Sequence, residues 1–175
     1  MAPLLFLTGY MGSGKSTVGR AVARLLGWEF IDLDDAVVAQ GGLDISSIFR
    51  REGEAGFRRR ECAALREVVE RAPLSDGLVV ALGGGTLTNP ESAVLTKRRA
   101  TVVYLEVDAA EAWRRVSGSE RPLAQDRDEF ERRLTQRRSH YEAAADVVVP
   151  AQANSVETLA GRIADLMRQK GRGER

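Results

Sequence analysis

The stretch LLFLTGYMGSGKSTVGRAVARLLG, residues 4–27, decides the fold of this chain. Residues 4–8 form a short apolar run that is typical of a strand buried on both faces. Residues 15–26 carry apolar side chains in a helical pattern, and Gly27 ends that pattern. Between the two, residues 9–17 match the motif G-x-x-x-x-G-K-[ST]. This order of strand, glycine-rich loop and helix predicts a loop that binds phosphate groups.

The chemistry of this loop follows from its residue types. Gly12 and Gly14 allow backbone N–H groups to turn toward phosphate oxygens, and the N-terminus of the following helix favours the same anion. Lys15 is predicted to reach the β- and γ-phosphates of a nucleotide, and the hydroxyl of Ser16 is predicted to bind Mg²⁺. The predicted nucleotide-binding residues of the loop are Gly12, Ser13, Gly14, Lys15, Ser16 and Thr17.

Strand-like and helix-like segments alternate along the rest of the chain. Apolar β-rich runs occur at EFIDL (29–33), LVVAL (78–82), TVVYLEV (101–107) and ADVVVP (145–150). Helical patterns cover residues 15–27, 54–72, 90–99, 109–116, 128–145 and 155–170. This alternation predicts an α/β fold, in which a parallel sheet is covered by helices on both faces. Residues 40–53 and 117–127 are predicted to be irregular because they are rich in Gly, Ser and charge, and residues 171–175 are predicted to form a frayed tail.

The composition is that of one ordinary domain, predicted to span residues 1–170. Lys and Arg number 26 against 25 Asp and Glu, so the net charge of +1 does not favour a nucleic-acid partner. Cys62 is the only cysteine, which excludes an internal disulfide and predicts a core thiol in a reducing compartment. The N-terminal apolar run is too short for a signal peptide or a membrane span, so we expect a cytoplasmic protein with no membrane partner. The absence of a heptad or a long apolar edge predicts a monomer.

Two carboxylates follow the second strand, in FIDLDDA at residues 30–36. Asp32 and Asp34 are two residues apart, a spacing that would place both side chains on one side of an extended backbone. Because the ends of adjacent parallel strands share one crevice, Mg²⁺ and a substrate hydroxyl would both stabilise this pair. The alternative is that Asp34 or Asp35 serves as the N-cap of a helix.

The rest of the sequence narrows the kind of P-loop protein. The strings D-x-x-G and N-K-x-D that a switch GTPase requires are absent. The strand LVVAL runs into the glycines at 83–85, where a typical P-loop ATPase has a metal-binding Asp, so the metal must be held by a carboxylate from elsewhere. Three glycines at a strand end allow a ligand to approach the backbone closely, which indicates that they belong to the same site.

Taken in order, these motifs resemble those of the shikimate kinases. The resemblance covers nearly the whole chain and is carried by LTGYMGSGKSTVGR, FIDLDDAV, ISSIFRREGEAGFRRRE, VVALGGGT, VVYLEV and RPL. It implies transfer of the γ-phosphate of ATP to the 3-hydroxyl of shikimate, a step toward chorismate and the aromatic amino acids. It also implies the nucleoside-monophosphate-kinase type of fold, a five-stranded parallel sheet in the order 2-3-1-4-5 flanked by helices. The implied lid is at about 117–127 and the implied substrate-binding region at about 33–61.

The resemblance assigns roles to residues on the substrate side. Arg58 and Arg137 match the family's arginines that bind the carboxylate of shikimate, and a guanidinium can bind a carboxylate through two parallel hydrogen bonds. Asp34 matches the carboxylate that bonds the reacting hydroxyl, and Glu61 is expected to hold the guanidinium of Arg58 in place. Gly83, Gly84 and Gly85 are expected to meet the substrate hydroxyls through their backbone. The sequence RRSHY, in which Ser139 and His140 stand where the family commonly has Pro and Leu, leaves open whether Arg137 or Arg138 binds the carboxylate.

On the nucleotide side, the resemblance gives Lys15 and Arg121 a catalytic role together with Asp34. Arg121 matches the lid arginine that reaches the phosphates when the lid closes. Arg115 matches a residue that packs on adenine, with its neighbour Arg114 as the alternative. Ser16 and Asp32 match the residues at the metal, the latter acting through a coordinated water.

Two other functions compete with shikimate kinase. Gluconate kinases and nucleoside monophosphate kinases share the P-loop and the lid, but D-x-D, GE..FR..E and GGG are not expected together in either. A non-catalytic module that binds nucleotide or shikimate as a signal is a rival of another class. The presence of Lys15 and Asp34 argues against that module, because binding without phosphoryl transfer does not require them.

Overall fold

The computed structural model describes residues 3–72, 76–119, 123–152 and 154–173. The strands are β1 (Leu4–Thr8), β2 (Glu29–Asp32), β3 (Leu78–Ala81), β4 (Thr101–Glu106) and β5 (Val147–Pro150). The helices are α1 (Lys15–Leu26), α2 (Leu33–Gly41), α3 (Ile45–Glu70), α4 (Pro90–Arg99), α5 (Ala109–Val116), α6 (Arg127–Ala144) and α7 (Val156–Gly173). A short 3-10 turn occupies Thr86–Thr88.

The five strands form one parallel sheet in the order β2-β3-β1-β4-β5, which confirms the predicted order. Strand β1 is central, with Leu7 opposite Ala81 of β3. Asp32, the last residue of β2, lies opposite the same Ala81. The glycine-rich loop after β1, the carboxylates after β2 and the glycines after β3 therefore begin at one edge of the sheet, where parallel α/β sheets bind ligands.

The core lies on both faces of the sheet, as the apolar runs predict. Alternate residues of β1 point in opposite directions, so Leu5 packs with Ile163 of α7 on one face. Phe6 packs with Leu65 of α3 and Leu134 of α6 on the other face. Each such side chain, when fully buried, stabilises the fold by about 1.5–3 kcal/mol. The sheet is thus packed between two apolar layers, and α3 and α6 of the second layer also carry candidate site residues.

The prediction that residues 40–53 are irregular is wrong for most of the segment. Helix α2 extends to Gly41, and α3 begins at Ile45. Gly42 ends α2 in the left-handed conformation, and Asp44 caps α3 by accepting a hydrogen bond of 2.8 Å from the backbone N–H of Ser47. The end of α2 and the first segment of α3 therefore occupy most of a stretch whose Gly and Ser content suggests a loop.

Helix α3 is divided at Gly53. That residue has φ 66 and ψ −176, which no helical residue adopts, so residues 45–52 and 54–70 form two segments at an angle. The second segment coincides with the predicted helix at 54–72, and it carries the arginine-rich motif. Cys62 is buried on this segment, as predicted.

The remaining predictions concern the lid and the tail. No helix or strand occurs among the described residues between the end of α5 and the start of α6, which agrees with the predicted irregular segment. Arg121 lies outside the described residues. Helix α7 continues to Gly173, so residues 171–173 of the predicted tail are helical.

Across the described ranges, no helix combines the length and apolarity that a membrane span needs.

Candidate active site

The glycine-rich loop joins the end of β1 to α1. Gly12 has φ 84, and a Cβ on it would lie 2.6 Å from the carbonyl oxygen of Ala112, so only glycine fits there. The loop is closed by a hydrogen bond of 3.1 Å from the N–H of Ser13 to the carbonyl of Tyr10. Helix α1 begins at Lys15 and its first turn has no side-chain cap and no acidic residue. An anion at this helix N-terminus would therefore meet uncapped N–H groups and no repelling carboxylate within the turn.

A cavity of ≈ 330 Å³ lies over this loop. Its lining residues are Met11, Gly12, Gly14, Lys15, Ser16, Thr17, Asp32, Asp34, Leu82, Gly83, Gly84, Arg115, Val116 and Ser119. The ammonium of Lys15 donates to the carbonyls of Gly9 at 2.8 Å and Tyr10 at 3.0 Å, which hold it against the loop. Ser13 is the one predicted loop residue that does not line the cavity, because its side chain is buried.

Asp32 connects the loop to α2. Its Oδ2 accepts a hydrogen bond of 2.5 Å from the hydroxyl of Ser16, and its Oδ1 accepts one of 3.1 Å from the N–H of Asp34. Asp32 is therefore the N-cap of α2, and the alternative, in which Asp34 or Asp35 caps a helix, is wrong. Both of those residues lie instead in the first turn of α2, where the helix dipole favours carboxylates.

The expected alignment of the two acids on one strand is also wrong. Strand β2 ends at Asp32, and Asp34 belongs to the helix that follows. The turn from strand to helix nevertheless keeps both carboxylates in the same cavity. The sequence therefore correctly predicted that the two carboxylates lie close together, but the shared strand from which this was inferred does not exist.

The residues at this point fit a magnesium ion. The hydroxyl of Ser16 and the carboxylate of Asp32 are oxygen donors, which Mg²⁺ prefers. Within the described ranges, no three His, Cys, Asp or Glu side chains are grouped so that they could hold a metal. A magnesium ion here would therefore take most of its ligands from phosphate oxygens and water, as Mg²⁺ at nucleotide sites usually does, and Asp32 would act through one of the waters.

A second cavity of ≈ 390 Å³ adjoins the first. Its lining residues are Met11, Asp32, Asp34, Asp35, Ile45, Ser46, Phe49, Phe57, Arg58, Glu61, Gly83, Gly84, Gly85, Leu123 and Arg137. Asp34 belongs to both cavities, so it lies where they meet. The rings of Phe49 and Phe57 pack 5.0 Å apart and form an apolar part of the wall. A small ligand with an apolar face and an anionic group would match this lining.

Arg58 is the first of two buried cations in the second cavity. Its side chain is 14% exposed, and its Nη1 donates a hydrogen bond of 2.6 Å to Glu61. Glu61 is itself buried and also accepts a hydrogen bond of 2.7 Å from the hydroxyl of Thr86. Burial alone would lower the pKa of Arg58, but the charge and the hydrogen bond of Glu61, with those of Glu54, raise it above its ordinary value. The guanidinium is thus held rigidly and remains charged.

Arg137 is the second buried cation. Only 7% of the residue is exposed, and Nη1 donates to the carbonyl of Gly84 at 3.3 Å. The hydroxyl of Tyr141 donates to the same carbonyl at 2.5 Å. Arg138 instead has 45% of its side chain exposed and points toward Glu106 at 4.0 Å. Of the two candidates left open by the sequence, Arg137 is the one that lines the cavity.

The three glycines pass between these charged side chains. A Cβ on Gly83 would collide with the carboxylate of Glu61, and one on Gly85 would collide with the guanidinium of Arg58. A side chain at Gly83 or Gly85 would therefore displace Glu61 or Arg58, a reason for glycine that adds to the close approach of a ligand predicted from the sequence.

Glu54 is the site residue that sequence reasoning missed. Its Oε1 accepts from Nη2 of Arg58 at 3.2 Å and from Nη2 of Arg137 at 2.9 Å. Burial alone would raise the pKa of Glu54, but the hydrogen bond from Arg58 and the charges of Arg58, Arg137 and Arg133 lower it below its ordinary value. The available signal was its position one turn before Arg58 on the same helix; its contact with Arg137 is not visible in the sequence.

On the nucleotide side, Arg115 lines the first cavity and Arg114 does not. Nη1 of Arg115 donates 3.0 Å to the carbonyl of Gly12, which attaches α5 to the glycine-rich loop. Arg114 has 73% of its side chain exposed and is paired with Glu111. The pKa of Glu111 is lowered to about 2, first by the hydrogen bond from Arg114 and then by that from Arg115.

Comparison with known proteins gives a consistent result. Residues 11–168 match the family model described as shikimate kinase. The shikimate kinase of Halorhodospira halophila is 43% identical over 167 residues, which cover 93% of this chain and 92% of the relative. That of Histophilus somni is 38% identical over 168 residues, covering 93% and 94%. The structure of the Acinetobacter baumannii shikimate kinase in complex with shikimate matches with a TM-score of 0.90 and 34% identity, covering 97% of this chain and 95% of that one.

Proposed function

The chain belongs to the shikimate kinase family, and on that basis we propose that it transfers the γ-phosphate of ATP to the 3-hydroxyl of shikimate, giving shikimate 3-phosphate and ADP. The observation that carries the proposal is that two buried arginines and Asp34 line one cavity, which meets the cavity of the glycine-rich loop. This arrangement suits a carboxylate-bearing polyol beside a nucleoside triphosphate.

The carboxylate of shikimate is assigned to Arg58 and Arg137. A guanidinium presents a planar set of N–H donors, and each arginine uses only part of its set on protein acceptors. The glycines at 83–85 bring backbone groups close to the ring hydroxyls. Binding through the carboxylate, at one end of the ring, orients the hydroxyls at the other end toward Asp34.

Asp34 is assigned to the hydroxyl that reacts. Its place at the junction of the two cavities supports this role, because the attacking oxygen must lie between substrate and nucleotide. In the transfer, a bond forms from the hydroxyl oxygen to the γ-phosphorus, and the bond from that phosphorus to the bridging oxygen of ADP breaks. The hydroxyl proton passes to Asp34. Since the transition state of phosphoryl transfer is loose, holding this hydroxyl in line contributes more than strong base catalysis.

Lys15 and the first turn of α1 are assigned to the β- and γ-phosphates of ATP. The ammonium lies over the loop, where a phosphate oxygen would compete with the carbonyls of Gly9 and Tyr10. Arg115 is assigned to adenine, and Arg121, predicted to lie in the lid, is assigned as a second cation for the phosphates. Together these charges stabilise the oxygens on which negative charge accumulates.

Ser16 and Asp32 would hold Mg²⁺ beside these phosphates. When bound, the metal neutralises phosphate charge and helps to orient the γ-phosphate. The chain's own contribution is to keep the hydroxyl of Ser16 and the carboxylate of Asp32 together on two different helix N-termini. Monomeric state, location in the cytoplasm and the lack of nucleic-acid or membrane partners stay predictions from the sequence.

The test is release of ADP from Mg-ATP with one candidate acceptor at a time. Shikimate, gluconate and nucleoside monophosphates are supplied to wild type and to Asp34→Asn. We expect stimulation by shikimate alone, and its loss in the variant. Stimulation by gluconate or a nucleotide in place of shikimate would contradict the acceptor. No stimulation by any of them, with ATP and shikimate both bound, would favour a non-catalytic binding module.

A further inference from the structure

Glu54 lies at the centre of an arginine cluster, in which one carboxylate faces three guanidiniums. Oε1 accepts from Arg58 and from Arg137, and Oε2 lies 3.7 Å from Nη1 of Arg133. Glu54 is nevertheless not among the described residues that line the substrate cavity. It contacts both proposed carboxylate-binding arginines without facing their ligand.

The position of Glu54 follows from the kink of α3. Gly53 breaks the helix, so Glu54 begins the second segment and lies one turn before Arg58. Arg133 and Arg137 belong to α6, which is distant in sequence. The single oxygen Oε1 therefore joins the two elements that carry the cations of the substrate site.

Charge explains why such a residue is needed. Two guanidiniums that must bind one carboxylate have to lie close together, and like charges at that distance repel. Glu61 is hydrogen-bonded to Arg58 and not to Arg137, whereas Arg137, within the described part of the chain, donates to the carbonyl of Gly84 and to Glu54. Glu54 is thus the acid in this cluster that is hydrogen-bonded to both arginines.

We propose that Glu54 is a positioning residue that sets the spacing of Arg58 and Arg137 and so determines the affinity for the substrate carboxylate. The inference rests on the proposed function. It differs from the idea that Glu54 competes with the substrate for the arginines, because a competitor would lower affinity and a positioning residue raises it. The two ideas predict opposite changes in the KM for shikimate when the charge of Glu54 is removed.

The experiment measures kcat and the KM for shikimate and for ATP in wild type, Glu54→Gln and Glu54→Asp. We expect Glu54→Gln to raise the KM for shikimate about tenfold or more, the usual effect of losing charge-assisted hydrogen bonds, with kcat and the KM for ATP changed less than about threefold. Glu54→Asp keeps the charge, but its side chain is shorter by one methylene group. Its KM for shikimate should therefore lie between those of wild type and Glu54→Gln. Glu52→Gln is the matched control, because Glu52 forms an ion pair of 2.6 Å with Arg60 on α3 and neither residue lines the cavity.

A neutral substrate separates positioning from general damage. The methyl ester of shikimate lacks the carboxylate charge, so wild type should bind it weakly, and Glu54→Gln should bind it no more weakly than wild type does. A loss of equal size with acid and ester would overturn the proposal, as would an unchanged or lowered KM for shikimate in Glu54→Gln. If Glu54→Gln does not fold, the same acid and ester comparison is made with Glu54→Asp. Wild type that is inactive with shikimate would overturn the proposed function and this inference together; active wild type with an unaffected variant overturns the inference alone.

Discussion

The hydroxyl of Ser16 donates a hydrogen bond of 2.5 Å to Oδ2 of Asp32, which joins the first turn of α1 to the N-cap of α2. One carboxylate thus holds the proposed metal-binding hydroxyl and starts the helix that carries Asp34. Cap and metal site can be separated by mutation, because asparagine caps helices as well as aspartate does but carries no charge.

The Asp32→Asn variant should keep its stability and require a higher concentration of magnesium for activity. We expect the Mg²⁺ concentration for half-maximal rate to rise about 10- to 100-fold, the range typical of outer-shell ligands, with little change in the free energy of unfolding. Asp32→Ala should show the same loss and, without the cap, about 1 kcal/mol lower stability. Magnesium titrations of the rate and urea unfolding measure both effects. If Asp32→Asn requires the same Mg²⁺ concentration as wild type, the assignment of Asp32 to the magnesium site is contradicted.

Arg137 and Arg138 form a matched pair for testing the carboxylate site. Arg137→Lys keeps the charge but loses the planar fork, so we expect the KM for shikimate to rise about tenfold or more. Arg138→Lys alters an exposed side chain and should stay within about twofold of wild type. Steady-state kinetics with saturating ATP measure the difference. Equal effects of the two substitutions would refute the distinction drawn from burial.

Gly83→Ala tests the close approach of the glycine loop to Glu61. The added methyl group would collide with the carboxylate of Glu61, so the loop or the Glu61–Arg58 pair must shift. We expect a loss of about 1–3 kcal/mol in the free energy of unfolding, with a higher KM for shikimate. Gly161→Ala is the control, because α7 has open space there and the change should stabilise by about 0.5–1 kcal/mol. Gly83→Ala as stable as wild type would show that the collision is avoided.

Because Tyr10 is buried, we predict that wild type loses more stability at alkaline pH than a Tyr10→Phe variant does. Its buried hydroxyl donates 3.1 Å to the carbonyl of Phe130, and burial raises its pKa from 10.0 to about 12 against the opposing charges of Arg137 and Arg133. Between pH 10 and 12 the unfolded tyrosine loses its proton while the folded one keeps it, so stability falls as the pH rises, by at most about 1.4 kcal/mol per pH unit for this group.

The measurement is urea unfolding of wild type and Tyr10→Phe between pH 8 and about 11. Near neutral pH the variant should be less stable by about 1 kcal/mol, for the lost hydrogen bond. Its stability should then fall less steeply above pH 10, so the two curves converge. Other tyrosines contribute equally to both proteins and cancel in the difference. Parallel curves would show that Tyr10 does not titrate differently in the two states.

The sheet and its binding edge could be predicted from sequence because they depend on local patterns. Apolar runs identify strands, and the glycine-rich motif is contiguous, so the place of Lys15 and Ser16 relative to β1 follows directly. The order of the strands came from the resemblance to a family. Helix α2 and the first segment of α3, residues 45–52, were missed because their Gly and Ser content resembles that of a loop, while their stability comes from the caps Asp32 and Asp44 and from packing.

The contact between Glu54 and Arg137 could not be predicted for a different reason. It joins residues 83 positions apart, and it exists only because α6 packs beside the second segment of α3. The choice between Arg137 and Arg138 likewise depends on which face of α6 is buried. The two residues are adjacent, and the sequence alone does not show which of them lies on the buried face.

The central claim is that this chain transfers the γ-phosphate of ATP to the 3-hydroxyl of shikimate, and that Asp34 orients this hydroxyl. The most direct test is phosphorus and proton NMR of the product formed from Mg-ATP and shikimate. We predict one new phosphate monoester, coupled to the proton on C3, with formation slowed about 100-fold or more in Asp34→Asn. Absence of a monoester, phosphate on another hydroxyl, or an equal rate in Asp34→Asn would contradict the claim.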